Sequence, residues 1–179
     1  MNSKLIITLI TVIFATYGFS QSNEIAVYST SKEMYDSKST WKNVKSLRRA
    51  LWSDSLILVS KVKTKSKYAS NQIWGYGAKN GSLNRIYKND LYKVSLADTS
   101  AVCIYTKKSG KYTKYYFSKT ADSEILPLYK STLKQAFATN TCFIQKIEKE
   151  LKWYEDPNQF EKSSGTFKIA QFLKDCSSK

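Results

Sequence analysis

The sequence predicts an α+β domain in which an antiparallel β-meander is followed by two or three C-terminal helices. Three observations predict this class. Short runs rich in Tyr, Val and Ile recur over residues 56–118, turn residues separate these runs at intervals of about ten positions, and the apolar spacing becomes helical after Pro127. The length of 179 residues suits a single domain, and the sequence contains no internal repeat or linker.

The meander is predicted to contain five to seven strands. Five follow one another up to residue 118, and segments 56–62 and 66–69 add one or two. Asn80-Gly81 is a strong signal for a two-residue hairpin turn, and Asn89-Asp90 is a second pair able to adopt positive φ. Strand-length runs separated by such turns predict antiparallel neighbours.

The helical part is predicted over about residues 129–175. Two sets of apolar residues at helical spacing predict two helices, with a cap at Asn140 or Thr141 between them. The sets are Leu133, Ala136 and Phe137, then Phe143, Ile147 and Leu151. A short third helix is predicted to begin at Gly165-Thr166.

The N-terminal part of the domain gives weaker signals. Residues 24–28 suit a strand, and Thr30-x-x-Glu33 has the spacing of a helix capping box. A further helix is predicted from four apolar residues at helical spacing, Trp41, Val44, Leu47 and Leu51.

Residues 1–20 have the features of a secretory signal peptide. One lysine precedes an apolar run over residues 5–15, and Gly18 and Ser20 occupy the −3 and −1 positions of a cleavage site. The run is shorter than the roughly 20 residues that span a bilayer, so we expect cleavage instead of a retained anchor. The domain then comprises residues 21–179, is exported to the periplasm or cell surface, and has no later membrane-spanning segment.

Export affects the interpretation of the three cysteines, because a disulfide can form outside the cytoplasm. The favoured pair is Cys142–Cys176, since both residues fall in the helical part, and it leaves Cys103 unpaired in a strand. The alternative is three buried, reduced thiols. Three widely spaced cysteines without histidine do not form a metal site, and no cofactor is expected.

The chain is strongly basic, with 29 Lys+Arg against 14 Asp+Glu and a formal net charge of +15. Arginine occurs only at Arg48, Arg49 and Arg85. Because bidentate contacts to phosphates and base edges favour arginine, sequence-specific nucleic-acid recognition is not expected. The excess charge predicts attraction to anionic surfaces.

Lys61, Lys63, Lys65 and Lys67 alternate along the chain. If this stretch is one strand, all four ammonium groups share one face and form a stripe that can bind an anionic polymer. Two other interpretations stay open. The lysines protect an edge strand against pairing with another chain, or the stretch contains a hairpin turn at Thr64-Lys65.

Two further candidate ligand sites follow from residue type. Lys111, Tyr112 and Lys114 combine cations with an aromatic ring, as binding of single-stranded nucleic acid or anionic glycan requires. Arg85 is a candidate anion ligand. Its alternative roles are pairing with a nearby carboxylate or stacking on Tyr76 or Tyr87.

No catalytic site is predicted. The absence of His excludes Ser-His-Asp and Cys-His nucleophiles and His metal ligands. Ser131-x-x-Lys134 has the spacing of a Ser-Lys dyad but lacks companion motifs. Gly75-x-Gly77-x-x-x-Gly81 precedes a strand instead of a helix, so we assign these glycines to turns and a bulge. Acid pairs for glycoside hydrolysis could be drawn from Asp122, Glu124, Glu155 and Asp156, but the 14 acidic residues allow many accidental pairs.

Several short motifs lie in two stretches of the chain, residues 68–94 and 115–137. They are Ile73-Trp74-Gly75-Tyr76, Gly81, Arg85-Ile86-Tyr87, Tyr115-Tyr116-Phe117-Ser118 and Pro127-Leu128. In this pattern the chain resembles a group of small secreted proteins of unknown function from Bacteroidetes-type bacteria. It departs from the group at Asn84, where an aromatic residue is usual, and at Tyr129, which replaces a capping threonine. The resemblance implies export and the order of strands and helices, and it implies no activity.

Together these observations predict a non-catalytic, exported binding module. Its expected ligand is an anionic cell-envelope component, either a polymer or a lipid surface, or a partner protein. Two other functions stay open: a histidine-free hydrolase acting on peptidoglycan or glycan, and an inhibitor or chaperone-like interaction protein.

Overall fold

The computed structural model describes residues 25–50, 54–98, 102–152 and 156–177. Within these ranges the chain forms a ten-stranded antiparallel sheet, a separate two-stranded sheet and four α-helices. The α+β class is therefore confirmed. The signal peptide predicted at the N-terminus lies outside the described residues, and no described helix is long and apolar enough to cross a membrane.

The strands of the large sheet are β1 (Ile25–Tyr28), β2 (Trp41–Arg49), β3 (Ser55–Ser60), β4 (Lys65–Ala69), β5 (Gly75–Gly77), β6 (Leu83–Tyr87), β7 (Asp90–Ala97), β8 (Cys103–Ser109), β9 (Tyr112–Ser118) and β10 (Leu126–Pro127). The small sheet pairs β11 (Phe160–Glu161) with β12 (Thr166–Phe167). The α-helices are α1 (Ser31–Tyr35), α2 (Lys130–Ala136), α3 (Thr141–Glu150) and α4 (Lys168–Ser177), and Ser70–Gln72 forms a 3₁₀ turn.

The first strand, β1, lies inside the large sheet and not at its edge. The strand order is β10-β9-β8-β7-β6-β5-β1-β2-β3-β4, so β1 pairs with both β2 and β5. From β1 the chain first builds β2, β3 and β4 on one side, then returns to β1 and continues as a meander from β5 to β10. The sheet therefore has ten strands instead of the five to seven predicted, because β1, β2 and β10 extend the meander.

The helix predicted from Trp41, Val44 and Leu47 is wrong, because these residues lie on strand β2. The register of β2 shifts between Trp41 and Val44 against β1, and again between Val44 and Ser46 against β3. At each register shift, β2 has one residue more than its partner strand. Because of this extra residue, two residues of β2 that are three positions apart lie on the same face of the sheet. Two bulges in a strand thus reproduce the apolar spacing of a helix. The fourth residue of that pattern, Leu51, lies outside the described residues.

The turn between β6 and β7 lies one residue earlier than predicted. Tyr87 pairs with Asp90, and the two residues between them, Lys88 and Asn89, have φ of 46° and 64°. Positive φ at both central positions is the requirement of a type I′ hairpin turn. Asn80-Gly81 lies in the predicted turn between β5 and β6, but that turn has three residues, not two. The Ala78 N–H donates to the Ser82 carbonyl across residues 79–81, and Gly81 has a φ of 77°.

Local side-chain and backbone features set where helices α3 and α4 begin. The Asn140 side chain caps α3 by accepting from the Phe143 backbone N–H at 3.0 Å. Gly165, with a φ of 65°, lies between β11 and β12, so the last helix begins at Lys168 and not at Gly165-Thr166. At the other end of the chain, Thr30 caps α1 through the Glu33 backbone N–H at 3.2 Å.

The core consists of three clusters. The largest lies between the sheet and helices α2, α3 and α4, around the fully buried Ile104, Phe117 and Phe143. The opposite face of β8 contributes Tyr105 to a second, aromatic cluster, which α1 and the segment after β9 cover. The third cluster belongs to the strands that flank β1 and includes Val27, Val44, Leu56, Leu58 and Ile73. Strand β8 is thus buried on both faces.

Candidate functional site

The strands β2, β3 and β4 form one end of the sheet and have a strongly basic sequence. Residues 41–69, which we call the basic wing, contain one acidic side chain, Asp54. Their eight basic side chains, all exposed, are Lys42, Lys45, Arg48, Arg49, Lys61, Lys63, Lys65 and Lys67. The wing is therefore a region of concentrated positive charge at the surface.

The four alternating lysines lie on two elements and not on one strand. Strand β3 ends at Ser60, and the Ser60 backbone N–H donates to the Thr64 carbonyl at 3.0 Å to close a hairpin turn. Lys61 and Lys63 belong to this turn, and Lys63 has a φ of 64°. Lys65 and Lys67 lie on β4, the edge strand of the sheet. The single stripe is therefore wrong in its geometry. The edge strand is present, and the hairpin turn lies at residues 61–64 instead of at Thr64-Lys65.

The sheet register brings other basic residues next to this edge. Lys67 lies opposite Ile57, and Ile57 lies opposite Arg48 on the next strand. Residues directly opposite one another in neighbouring strands share a face of the sheet. Lys65 lies on the same face, opposite Val59. The outer face of the wing thus combines Arg48, Lys65 and Lys67 around an apolar strip.

Seven of the eight basic side chains in the wing form no ion pair with a described carboxylate. Six ion pairs between described residues join lysines outside the wing to carboxylates. Among them, Lys134 pairs with Glu148 at 2.5 Å and Lys146 pairs with Asp175 at 2.5 Å. No ion pair between described residues involves Lys42, Lys45, Arg48, Arg49, Lys63, Lys65 or Lys67.

A cavity of about 410 Å³ joins the wing to the middle of the sheet. Its apolar lining includes Leu47, Leu56, Tyr76 and Ile86. Its basic lining consists of Arg48 and Arg49 from β2 and Lys107 and Lys108 from β8, although four strands separate β2 from β8 in the sheet. The Lys107 ammonium also pairs with Asp90 at 2.7 Å. Four basic and two acidic side chains, the latter Asp54 and Asp90, therefore line this cavity.

The second predicted cluster lies at the hairpin between β8 and β9. Lys111 Nζ lies 5.3 Å from the ring centre of Tyr112, whose side chain is exposed. Lys114 is exposed on β9. Seven strands separate β9 from β4 in the sheet order, and the cluster does not line the cavity that adjoins the wing.

Arg85 is the buried member of the predicted set, with 3% of its surface exposed. Its Nη1 donates to the Tyr105 hydroxyl at 2.9 Å and to Ser118 Oγ at 3.3 Å, and its Nη2 donates to the Ser123 carbonyl at 2.8 Å. All three acceptors are neutral. No ion pair links Arg85 to a carboxylate among the described residues, and its Nε has no hydrogen-bond partner.

Aromatic rings surround the Arg85 guanidinium. Its Cζ lies 5.2 Å from the ring centre of Tyr87, 5.6 Å from that of Tyr105 and 5.9 Å from that of Trp74. Such contacts stabilise a buried cation through the negative faces of the rings. Of the two tyrosines that the sequence suggested as partners, Tyr87 contacts Arg85. Tyr76 pairs with the neighbouring Asn84, so its side chain projects from the other face of the sheet.

Burial controls the titration of the groups beside Arg85. It raises the pKa of Tyr105 to about 12, so the hydroxyl stays protonated at neutral pH. Burial also raises the pKa of the Cys103 thiol, whose Sγ lies 3.6 Å from the Tyr35 hydroxyl. A protonated, buried thiol is a poor nucleophile. The other two cysteines form the Cys142–Cys176 disulfide between α3 and α4.

The acidic and Ser-Lys candidates occupy separate places. The Lys134 ammonium pairs with Glu148, and no hydrogen bond between described residues joins it to Ser131. Asp122 accepts a hydrogen bond from Ser31 Oγ at 2.5 Å, and Glu124 pairs with Lys88 at 2.9 Å. Asp156 lines a different cavity, and Glu155 lies outside the described residues.

Sequence reasoning singled out Arg85 and missed the residues around it. Tyr105, Ser118 and Ser123 come from other parts of the chain, and Ser123 contributes only its carbonyl, which every residue possesses. Trp74 donates its indole N–H to the Ala121 carbonyl at 3.0 Å, which fixes the segment after β9 over the arginine. No local pattern signals such a network.

Comparison of the chain with protein-family models, curated proteins and solved structures found no match. The resemblance to secreted Bacteroidetes-type proteins therefore stays a prediction.

Proposed function

We propose that the protein is a non-catalytic, exported binding module that docks on an anionic component of the cell envelope through the basic wing. The observation that carries the proposal is the concentration of eight exposed basic side chains in the wing, where Asp54 is the one acidic residue. Described lysines outside the wing form six ion pairs with carboxylates, whereas seven of the eight basic side chains in the wing have no such partner among described residues.

The shape of the wing supports binding to a repeating anion. Lys65 and Lys67 are two positions apart on one face of β4, and a strand separates such residues by about 6.6–6.8 Å. Arg48 lies two strands away on the same face, at about 9.4–9.8 Å from the normal spacing of strands. Charges at these intervals match a polymer or lipid surface that carries closely spaced phosphates, sulfates or carboxylates.

The type of basic residue also favours this class of ligand. Six of the eight basic residues in the wing are lysines, which interact with anions as flexible point charges. Their attraction is long-ranged, weakly selective and reduced by salt. Binding of this kind suits an abundant surface and does not require a shaped catalytic site.

The proposal is tested by elution from immobilised heparin, and from anionic liposomes, in a salt gradient. We compare the wild-type protein with a wing variant in which four exposed lysines are replaced by glutamine. The wing variant carries Lys45→Gln, Lys63→Gln, Lys65→Gln and Lys67→Gln. We expect it to elute at clearly lower salt, with a reduced dependence of affinity on salt concentration.

A control variant with the same net charge separates a site from overall basicity. It carries Lys38→Gln, Lys79→Gln, Lys149→Gln and Lys162→Gln, which are exposed and scattered outside the wing. We expect this variant to elute close to the wild-type protein. Equal losses in the two variants would show that the basic wing is not a binding site.

A further inference from the structure

A second cavity, of about 640 Å³, adjoins the buried Arg85. Its volume falls within the range of about 300–1,000 Å³ that is usual for small-molecule sites. Trp74 and Tyr87, two of the rings that contact the guanidinium, also line it. Asp54 and Ala69 of the basic wing line it as well, but none of the wing's eight basic side chains does, so binding here does not require binding at the wing.

The hydrogen bonds of Arg85 do not use all its donors. A guanidinium carries five N–H groups, of which Nη1 uses two and Nη2 uses one in the contacts described above. The Nε–H has no acceptor among the described residues, but Nε is fully buried. The remaining Nη2–H is left to donate to an oxygen of a ligand carboxylate.

The positive charge of Arg85 favours binding of an anionic group in this cavity. A buried cation without an anionic partner is costly, because neutral oxygens and aromatic rings replace its hydration only in part. A ligand that supplies a carboxylate provides the missing counter-charge. The cavity also contains the Lys88 side chain, but that ammonium pairs with Glu124 at 2.9 Å.

The same cavity contains two carboxylates, Asp54 and Asp122. One oxygen of Asp122 accepts from Ser31 Oγ, which leaves the other oxygen to accept from a ligand. Two acidic side chains repel a phosphate dianion and attract an ammonium group. The cavity therefore pairs one buried cation with two anions, and the complementary ligand is a zwitterion.

We propose that this cavity binds a short peptide with free termini, of which a free amino acid is the shortest form. Arg85 receives the terminal carboxylate, and Asp54 and Asp122 face the terminal ammonium. The rings of Trp74 and Tyr87 contact the ligand's side chains.

The test measures thermal stabilisation of the protein by amino acids, by Ala-X dipeptides covering all standard side chains, and by the corresponding tripeptides. A ligand that binds the folded state raises Tm with concentration. Trp74 lines the cavity, so tryptophan fluorescence gives a second readout. We expect at least one probe to raise Tm and to change the fluorescence at millimolar concentration. The absence of any such effect across the panel overturns the proposal.

Blocked peptides identify which ends are recognised. C-terminal amidation removes the carboxylate, and N-acetylation removes the ammonium, while the side chains stay the same. We expect each modification to weaken binding by at least about tenfold, because a site built around a charged group is left unpaired without it. Equal binding of free and blocked peptides contradicts the assignment.

Substitutions test whether stabilisation by the peptides depends on Arg85, Asp54 and Asp122. Arg85→Lys keeps the charge and removes the planar guanidinium with its Nη2–H, and we expect it to abolish the effect of the free carboxylate. Because Arg85 also has structural contacts, a second variant carries Asp54→Asn and Asp122→Asn, both at exposed positions. It should bind free and N-acetylated peptides alike. The control variant, Asp36→Asn with Asp156→Asn, has the same charge change outside the cavity and should keep the preference for a free amino terminus.

Discussion

Gly75 shows how one position without a side chain shapes the sheet around Arg85. It lies on β5 directly opposite Arg85 on β6, and a Cβ built on it would lie 2.2 Å from the Asn84 carbonyl oxygen. Gly77, two residues along the same strand, has no contact closer than 3.7 Å at the corresponding point. The close approach of the two backbones therefore requires glycine at position 75 and tolerates a methyl group at 77.

We predict that Gly75→Ala lowers the free energy of unfolding by about 1–3 kcal/mol, because the backbone of β6 must shift to admit the methyl group. Gly77→Ala on the same strand is the matched control and should change stability by less than about 0.5 kcal/mol. Urea denaturation, followed by tryptophan fluorescence, measures both. Similar losses of stability in the two variants would show that β5 and β6 are not packed this closely.

At the scale of the element, strand β2 explains the main error of the sequence-based prediction. An unbroken strand alternates faces, so Val44 and Leu47 would project in opposite directions. The register shift between Val44 and Ser46 restores Leu47 to the inner face, where both contribute to the third core cluster. Pairing with β1 and β3 decides the conformation here, because the local pattern fits both a helix and a bulged strand.

The Cys142–Cys176 disulfide joins two other elements, α3 and α4, across 34 residues of sequence. A cross-link of this length restricts the unfolded chain by about 3–4 kcal/mol in the chain-entropy estimate. We therefore predict that a reductant lowers the urea midpoint of the wild-type protein. A Cys142→Ser/Cys176→Ser variant should have the lower midpoint from the start and should not respond to the reductant. An unchanged wild-type midpoint after complete reduction would contradict the estimate.

At the scale of the whole molecule, the most buried strand and the basic edge strand lie in different parts of the sheet. Strand β8, with Cys103, Ile104 and Tyr105 at most 2% exposed, lies between the helices on one face and the aromatic cluster on the other. Strand β4 forms the edge, and none of its side chains is fully buried. The stable part of the protein is thus remote from the proposed docking surface.

We predict that amide hydrogen exchange follows this gradient. Amides of residues 103–105 in β8 should exchange only through global unfolding, because this segment pairs with both β7 and β9 and is buried. Amides in β4 should exchange much faster through local opening. Deuterium uptake measured by mass spectrometry on peptides from the two regions provides the comparison. Equal protection of β4 and β8 would mean that the sheet opens as a single unit.

Residue patterns predicted a large part of the fold and a small part of the candidate sites. The strand segments after residue 54 and the three C-terminal helices lie close to their predicted positions, because periodicity and turn residues act over short distances. The alternating lysines were singled out correctly as exposed, but the turn at Lys61 and Lys63 divides them. The sequence also indicates Arg85 as a candidate ligand and Tyr87 as its aromatic neighbour, but it does not indicate the hydrogen-bond acceptors, the rings of Trp74 and Tyr105, or the cavity.

The sequence by itself determined the α+β class, the concentration of positive charge in the wing and the absence of histidine chemistry. These properties follow from composition and from patterns within about ten neighbouring residues. The tertiary structure alone decided that residues 41–49 form a strand, that seven of the eight basic side chains of the wing form no ion pair with a described carboxylate, and that Arg85, Asp54 and Asp122 line one cavity. Each of these depends on contacts between residues far apart in the chain, which burial and hydrogen-bond satisfaction select only once the whole sheet is assembled.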